Sequence, residues 1–421
     1  MKQSQKFIVS GGKKLYGKIE IDSAKNAILP ILAASILCKG EVVLNNVTYY
    51  QDVLNMINIL KHLGVSVETK EKTLIINSEG LNKFVVPEQQ AKTLRASVFL
   101  LGPLLSRCKK ARVAYPGGCA IGARPLDIHI AGLKKLGAEI VDRHGMITVD
   151  SANMTSGPVC LPFPSVGATE NLIMSAVSLE GTTTLMGVAK EPEICDLCNF
   201  LNKTGAKIFG AGTDTIVIEG VKKLKGILYS PMPDRIMFGT YLFAPIMTGG
   251  EVEFCNVNAS HIKPILQLID NNGCKIRTVG DKIILNAVGR PYGMGKIETM
   301  PYPFFPTDLQ QPFMSVASIA KGNTIIVENL FENRFNQVAE LIKMGAKITV
   351  KDRTAIVEGV EKLYGASVTV PDLRGGAGLV LAGLAAEGYT TISGIDLIDR
   401  GYFKMEEKLS ALGASIKRVL E

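Results

Sequence analysis

Leu133-Lys134-Lys135-Leu136-Gly137-Ala138-Glu139-Ile140 writes the end of a helix, its glycine cap and the start of a strand into eight residues. Leu133 and Leu136 fall at helical spacing, Gly137 can take the left-handed conformation that closes a helix, and a small residue followed by alternating apolar positions opens a strand. The same form recurs at Leu60 to Gly64-Val65, Leu201 to Gly205-Ala206, Leu268 to Gly273-Cys274, Leu341 to Gly345-Ala346 and Leu409 to Gly413-Ala414. Successive glycines stand 73, 68, 68, 72 and 68 residues apart. A period held over six copies decides the architecture before any single motif does.

Around that core the second copy predicts a helix from Leu94 to Leu105, a strand near Ala111 to Ala114 and a helix from Leu126 to Leu136. Strands Ala138 to Val141 and Met146 to Val149 follow, with His144-Gly145 as the turn between them. With the strand that opens each copy the unit is βαβαββ, parallel across its long crossovers and antiparallel in its hairpin. Helices such as Ala27 to Leu37 and Gly378 to Ala386 are apolar nearly all round, which implies burial on most sides. The expectation is an α/β (α+β) chain of two domains, each of three βαβαββ repeats, with helices inside and sheets outside. Tyr229-Ser230-Pro231-Met232-Pro233 marks the crossing, giving domains 21–232 and 1–20 plus 233–421, with the N-terminal stretch completing the last unit.

The composition is that of a globular chain, 47% hydrophobic and 20% charged. No run of 18 apolar residues and no apolar segment behind the polar start is present, so a cytoplasmic protein without membrane association is expected. The eight cysteines have no framework spacing and predict no disulfides. A net charge of +8 suits anionic ligands, but the basic residues are scattered, Trp is lacking and aromatics are only 6%, which argues against nucleic acid. Cys195-Asp196-Leu197-Cys198 lacks a second pair and reads as core packing, so neither metal nor cofactor is expected.

The first strand-to-helix junctions form a column of polar residues: Lys25-Asn26, Arg95, Ser165-Val166-Gly167, Asp234-Arg235, Thr307-Asp308 and Asp372-Leu373-Arg374. Helix N-termini attract anions, and Asp308 and Asp372 also suit N-capping. The second junctions add Arg124, Arg334 and Arg400. Copy two is longer than the others by roughly four residues, and the addition falls in Pro116-Gly117-Gly118-Cys119, where a repeat protein would carry a mobile lid. There a thiol sits among glycines, five residues before Arg124, and a nearby guanidinium favours the thiolate.

Lys25-Asn26-Ala27, Pro116 to Cys119 with Gly122-Ala123-Arg124-Pro125, Ser165 to Thr169, Phe305 to Asp308, Phe331 to Phe335 and Ile398 to Tyr402 together closely resemble the UDP-N-acetylglucosamine 1-carboxyvinyltransferase family over nearly the whole chain. The resemblance implies the enolpyruvyl transferase fold with its site between the domains, the substrates phosphoenolpyruvate and UDP-N-acetylglucosamine, a monomer, and a place at the start of peptidoglycan synthesis and so in cell division. It implies that Lys25, Arg124 and Arg400 hold the phosphate of phosphoenolpyruvate, and that Arg374 and Arg400 face its carboxylate. Asn26, Thr307 and Asp308 would meet the sugar, Arg95 and the backbone of Ser165, Val166 and Gly167 the diphosphate, and Pro125 and Leu126 the uracil. Asp127, His129 and Leu330 are further contact candidates, and Arg334 supports the closed site. Asp308 is the expected base, while Cys119, Asp372, Lys25 and Arg400 complete the catalytic set.

Phe163, Met237 and Gly375-Gly376 depart from that pattern, the glycines at a helix start where looseness is expected. The shikimate 3-phosphate enolpyruvyl transferases share the fold but lack the cysteine loop. A binding or regulatory paralogue without turnover is disfavoured by intact Lys25, Cys119, Asp308 and Arg400, and the RNA 3′-phosphate cyclases share only the repeat.

The phosphonate epoxide fosfomycin is expected to alkylate Cys119 selectively, because a thiolate beside phosphate-binding cations attacks the docked epoxide. Peptide mass spectrometry should find the label on the Cys119 peptide, faster with sugar nucleotide and abolished in Cys119→Asp; label spread over several cysteines would make the loop structural.

Overall fold

The computed structural model describes residues 5–115, 122, 126–270, 272 and 274–420. Gly64, Gly137, Gly205, Gly345 and Gly413, five of the six repeat glycines, have φ between 91° and 110°. Each turns the chain from a helix into the third strand of its unit, such as Glu139–Arg143 after Gly137. His144 and Gly145 both have positive φ and join that strand to Met146–Asp150 with Arg143 opposite Met146, as a two-residue hairpin turn requires.

Five four-stranded sheets share one order, in which the opening strand lies parallel to the second, followed by the fourth and then the third. Within copy three, Pro158–Cys160 runs parallel to Thr182–Met186, which pairs antiparallel with Thr215–Glu219 and that with Lys207–Phe209. In copy two the opener shrinks to a single parallel bridge between Val85 and Arg112. Pro87, with no N–H to give, follows at once and starts the short helix Glu88–Thr93.

The openers are not all local. Copy four is opened by Leu15–Glu20, parallel to Gly250–Cys255, and copy one by Leu228–Tyr229, parallel to Glu41–Leu44. Gln5–Ser10 closes the sixth unit, antiparallel to both Tyr389–Ser393 and Ser415–Leu420. By contacts the chain divides into two compact units: a C-terminal one of residues up to Asp22 with Pro233–Glu421, and an N-terminal one within Ser23–Met232.

The first helices of the six copies are numbered here in chain order: α1 (Lys25–Ser35), α2 (Leu101–Cys108), α3 (Val166–Ala176), α4 (Arg235–Thr248), α5 (Thr307–Ile319) and α6 (Leu373–Ala385). α4, α5 and α6 pack pairwise in the C-terminal unit, and α2 packs on α3 in the N-terminal unit. From Leu309 to Ile319 every residue of α5 is buried, as is every residue of α6 from Arg374 to Leu384. The strands bury alternate residues and leave the rest partly or fully exposed, so helices line the inside.

Two local expectations fail. Leu94 to Leu105 is not one helix: Arg95–Leu100 is a 3₁₀ turn that leads into α2. Pro103 has no N–H for the carbonyl of Phe99, and the tighter i→i+3 pattern absorbs the break. Cys38, expected with Cys195 and Cys198 in an apolar helix, lies in the short strand Cys38–Lys39 after α1.

Phe7 is wholly buried on the N-terminal strand, with the Arg418 guanidinium 5.0 Å from its ring centre. Phe7→Ala should destabilise the protein by about 3–5 kcal/mol; a loss below about 1 kcal/mol in urea unfolding would show that this strand does not anchor the last unit.

Candidate active site

In the C-terminal unit, Asp308 in the first turn of α5 meets two buried guanidinium groups. Arg334 Nη2 donates to one of its oxygens, and Arg374 Nε and Nη2 donate to the other at 3.2 and 2.9 Å. The expected N-capping role fails for Asp308, because the cap position is Pro306 and the carboxylate turns away to the arginines. Asp372 does cap α6, its Oδ1 accepting from the Arg374 and Gly375 N–H groups at 3.0 Å each. Asp234 caps α4 in the same way.

Arg374 lies 5.3 Å from the centre of the Tyr402 ring. Burial alone would work against its charge, but Tyr402, Asp308 and Asp234 more than offset this and hold its pKa above the ordinary arginine range. The Tyr402 hydroxyl is shared with Thr240 of α4 at 2.8 Å. Arg400 ends the short helix Asp396–Asp399, where Asp399 is gripped by both terminal nitrogens of Arg418 at 2.9 and 2.7 Å.

Thr307 and Leu330 are joined by a residue that sequence reasoning missed. Glu328, 1% exposed, accepts from Thr307 Oγ1 at 2.9 Å on one oxygen and from the Leu330 and Phe331 N–H groups at 2.9 and 3.1 Å on the other. A glutamate ending an apolar strand was the only signal. Thr307, Asp308, Leu330, Arg334, Asp372 and Arg374 thus belong to one hydrogen-bonded region, in which Arg334 also donates to the Thr307 carbonyl at 3.4 Å.

In the N-terminal unit, Lys25 opens α1 and its ammonium is paired with Asp52 at 3.0 Å, both residues being buried. Asn26 is half-buried beside it and Arg95 half-buried at the start of the 3₁₀ turn. Ser165 caps α3, its hydroxyl accepting from the Ala168 N–H. Asn171 gives one amide hydrogen to the Val98 carbonyl and accepts the Gly102 N–H, so its remaining hydrogen points to His129 Nδ1 at 2.9 Å. In the neutral ring the proton is then on Nε2, and a Cβ on Gly167 would stand 3.3 Å from that nitrogen. His129 is therefore buried against the α3 start, while Asp127 is exposed and Leu126 buried at the helix start before it.

Cys119, Arg124 and Pro125 lie outside the described residues. Gly122, grouped with the C-terminal unit, leaves no room for a Cβ beside the Glu332 carboxylate. Burial raises the thiols of Cys108, Cys195, Cys198 and Cys274, and pushes Cys38 up to about 12. Cys198 is buried in the helix Pro192–Thr204, as core packing requires. Phe163 is exposed and Met237 is fully buried. No helix among the described residues is long and apolar enough to cross a membrane.

The family model of EPSP synthase (3-phosphoshikimate 1-carboxyvinyltransferase) matches residues 9–409. The enolpyruvyl transferase NikO from Streptomyces tendae has the same fold, with a TM-score of 0.89 over all of both chains at 22% identity. EPSP synthase from Acinetobacter baumannii scores 0.76 over 99% of this chain and all of its own, at 17% identity. The six-unit, two-domain fold is that of the enolpyruvyl transferases.

Sequence relatives narrow the class. UDP-N-acetylglucosamine 1-carboxyvinyltransferase 2 of Caldanaerobacter subterraneus subsp. tengcongensis is 46% identical over 99% of this chain and 100% of its own length. A counterpart from Symbiobacterium thermophilum is 47% identical over 100% and 96%. The chain belongs to the UDP-N-acetylglucosamine 1-carboxyvinyltransferase family.

On α3, five residues beyond Ser165, Glu170 is 1% exposed, and burial followed by the charges of Glu193 and Glu191 raises its carboxyl well above the usual range. A proton held more tightly by the fold than by the unfolded chain means that stability falls as pH rises above the ordinary carboxyl range. Glu170→Gln should therefore be more stable than the parent at pH 7 and match it below pH ~4, with a difference growing by at most about 1.4 kcal/mol per pH unit. Urea midpoints across pH check the sign.

Proposed function

We propose that this protein transfers the enolpyruvyl group of phosphoenolpyruvate to the 3-hydroxyl of UDP-N-acetylglucosamine with release of phosphate, as a cytoplasmic monomer opening peptidoglycan precursor synthesis. Full-length identity of 46% to a carboxyvinyltransferase of that name carries the reading. The chemistry is addition followed by elimination. The sugar oxygen bonds to C2 as its proton leaves and C3 gains a proton; the resulting tetrahedral phosphate then loses phosphate from C2 and a proton from C3, restoring the double bond.

Both substrates are polyanions, and planar carboxylates favour arginine over lysine. In this reading Lys25, Arg124 and Arg400 bind the phosphate of phosphoenolpyruvate, and Arg374 with Arg400 its carboxylate. Asn26, Thr307, Asp308 and Leu330 meet the sugar, and Arg95 with Ser165, Val166 and Gly167 the diphosphate. Pro125, Leu126, Asp127 and His129 face the nucleoside. Asp308 receives the hydroxyl proton, which requires an oxygen not saturated by guanidinium donors. Two of its hydrogen bonds come from Arg374, so a substrate carboxylate that draws Arg374 away frees that oxygen as the second substrate arrives. Arg334 keeps the other oxygen and the orientation of the base. Cys119, Lys25 and Asp372 handle the C3 and phosphate protons.

Phosphate release from phosphoenolpyruvate is expected only with UDP-N-acetylglucosamine present. Asp308→Ala should lower kcat by at least about 100-fold, the scale of a lost general base, a loss far larger than its effect on substrate binding. Equal turnover with shikimate 3-phosphate, or parental kcat in Asp308→Ala, would overturn the assignment.

A further inference from the structure

Gly375 and Gly376 sit in the first turn of α6, where glycine is a poorer helix former than alanine. They are not loose. A Cβ on Gly376 would stand 2.6 Å from Val370 Cγ1 and 2.8 Å from Ile398 Cγ1. At Gly375 it would stand 2.9 Å from Gln311 Nε2, 2.9 Å from Pro371 Cγ and 3.3 Å from Asp372 Oδ2. The space that glycine leaves open at 375 is therefore the space through which an amide reaches a carboxylate.

That amide belongs to a side chain of α5 that nothing in the ligand inventory uses. Gln311 is wholly buried, and its Nε2 donates to Asp372 Oδ2 at 2.8 Å and to Gln337 Oε1 at 2.9 Å. Its own Oε1 is buried with no hydrogen-bond partner among the described residues. An unpaired buried carbonyl is unfavourable, and the alternative orientation of the amide would point that carbonyl at two acceptors. The donor end is thus fixed toward Asp372. Asp372 in turn spends its other oxygen on the N–H groups of Arg374 and Gly375, and Arg374 projects from that same turn onto Asp308.

We propose that Gln311 is a positioning residue for the transfer reaction, acting through Asp372 to hold the start of α6 and so the Arg374 guanidinium, with Gly375 as the steric condition for its contact. The proposal rests on the reading that Arg374 faces the carboxylate of phosphoenolpyruvate. Removal of the amide lets the Asp372 carboxylate rotate away from its cap and slackens the turn that carries Arg374. The affinity for phosphoenolpyruvate then suffers and that for the sugar nucleotide does not.

The test uses Gln311→Ala, Gln311→Glu, Gly375→Ala and the Gln311→Ala/Gly375→Ala double variant, each confirmed as folded by circular dichroism and thermal unfolding. Gln311→Ala should raise KM for phosphoenolpyruvate about tenfold, the scale of one hydrogen bond to a charged group, with KM for UDP-N-acetylglucosamine within about twofold, well under the scale of one hydrogen bond. Gln311→Glu keeps the size but sets an acceptor against Asp372, and should be worse than alanine; a space-filling role would make it better. Gly375→Ala should lower Tm less in the Gln311→Ala background than in the parent, the remainder being the contact with Pro371. Additive Tm losses, or a glutamate variant that outperforms alanine, would overturn the proposal. If the parent itself releases no phosphate with both substrates, the functional reading fails, and the Tm cycle still decides whether Gln311 and Gly375 are coupled.

Discussion

Arg334 and Arg374 are 2% and 3% exposed, and two guanidinium charges taken so far out of water call for an opposite charge between them. Asp308 is that carboxylate, and it can serve both only if three pieces of chain from two repeats end at the same place. α5 contributes Asp308, the segment after its crossover strand contributes Arg334, and α6 contributes Arg374. Breaking such a buried set is strongly destabilising, on the order of 3–5 kcal/mol when one partner is lost. The mutual packing of α4, α5 and α6 is therefore held to a narrow geometry at their N-terminal ends, where the Tyr402 ring lies beside Arg374 and its hydroxyl bonds to Thr240 of α4.

The same ends carry the polar caps. Ser165, Asp234 and Asp372 satisfy backbone donors with their own side chains, whereas α1 and α5 begin without a side-chain cap. The first turns of α1 and α5 give Lys25 and Asp308 to ion pairs with residues distant in sequence, and the capped α6 gives Arg374 to the same Asp308. Asp372 does both, capping α6 with one oxygen and accepting from Gln311 of α5 with the other, because a carboxylate offers lone pairs on two oxygens.

The strands are distributed less locally than the helices. Leu15–Glu20 opens a sheet whose next strand begins at Gly250, and Gln5–Ser10 closes one whose other members lie beyond residue 366. Such pairings require closure of very long loops, which makes this unit slow to assemble compared with one built from neighbouring segments. It also makes residues 5–20 part of the C-terminal unit, with Phe7, Val9, Leu15 and Ile19 buried in its core.

Local pattern alone determined the repeat, the hairpin at His144-Gly145, the glycine caps, the inward helices and the column of polar residues at helix starts, because each depends on neighbours a few positions away. Family resemblance in short motifs added the reaction and its expected ligands. Tertiary structure decided the partners. Asp52, Glu328, Asn171 and Gln311 stand 27, 21, 42 and 61 residues from the groups they bind, Lys25, Thr307, His129 and Asp372, and no periodicity connects such pairs. It also separated two aspartates that look alike in sequence. Asp372 precedes its helix with an extended backbone and can fold its carboxylate back onto the first N–H groups, whereas Asp308 is already inside the first turn, where its side chain points away from them and toward whatever cation the packing supplies.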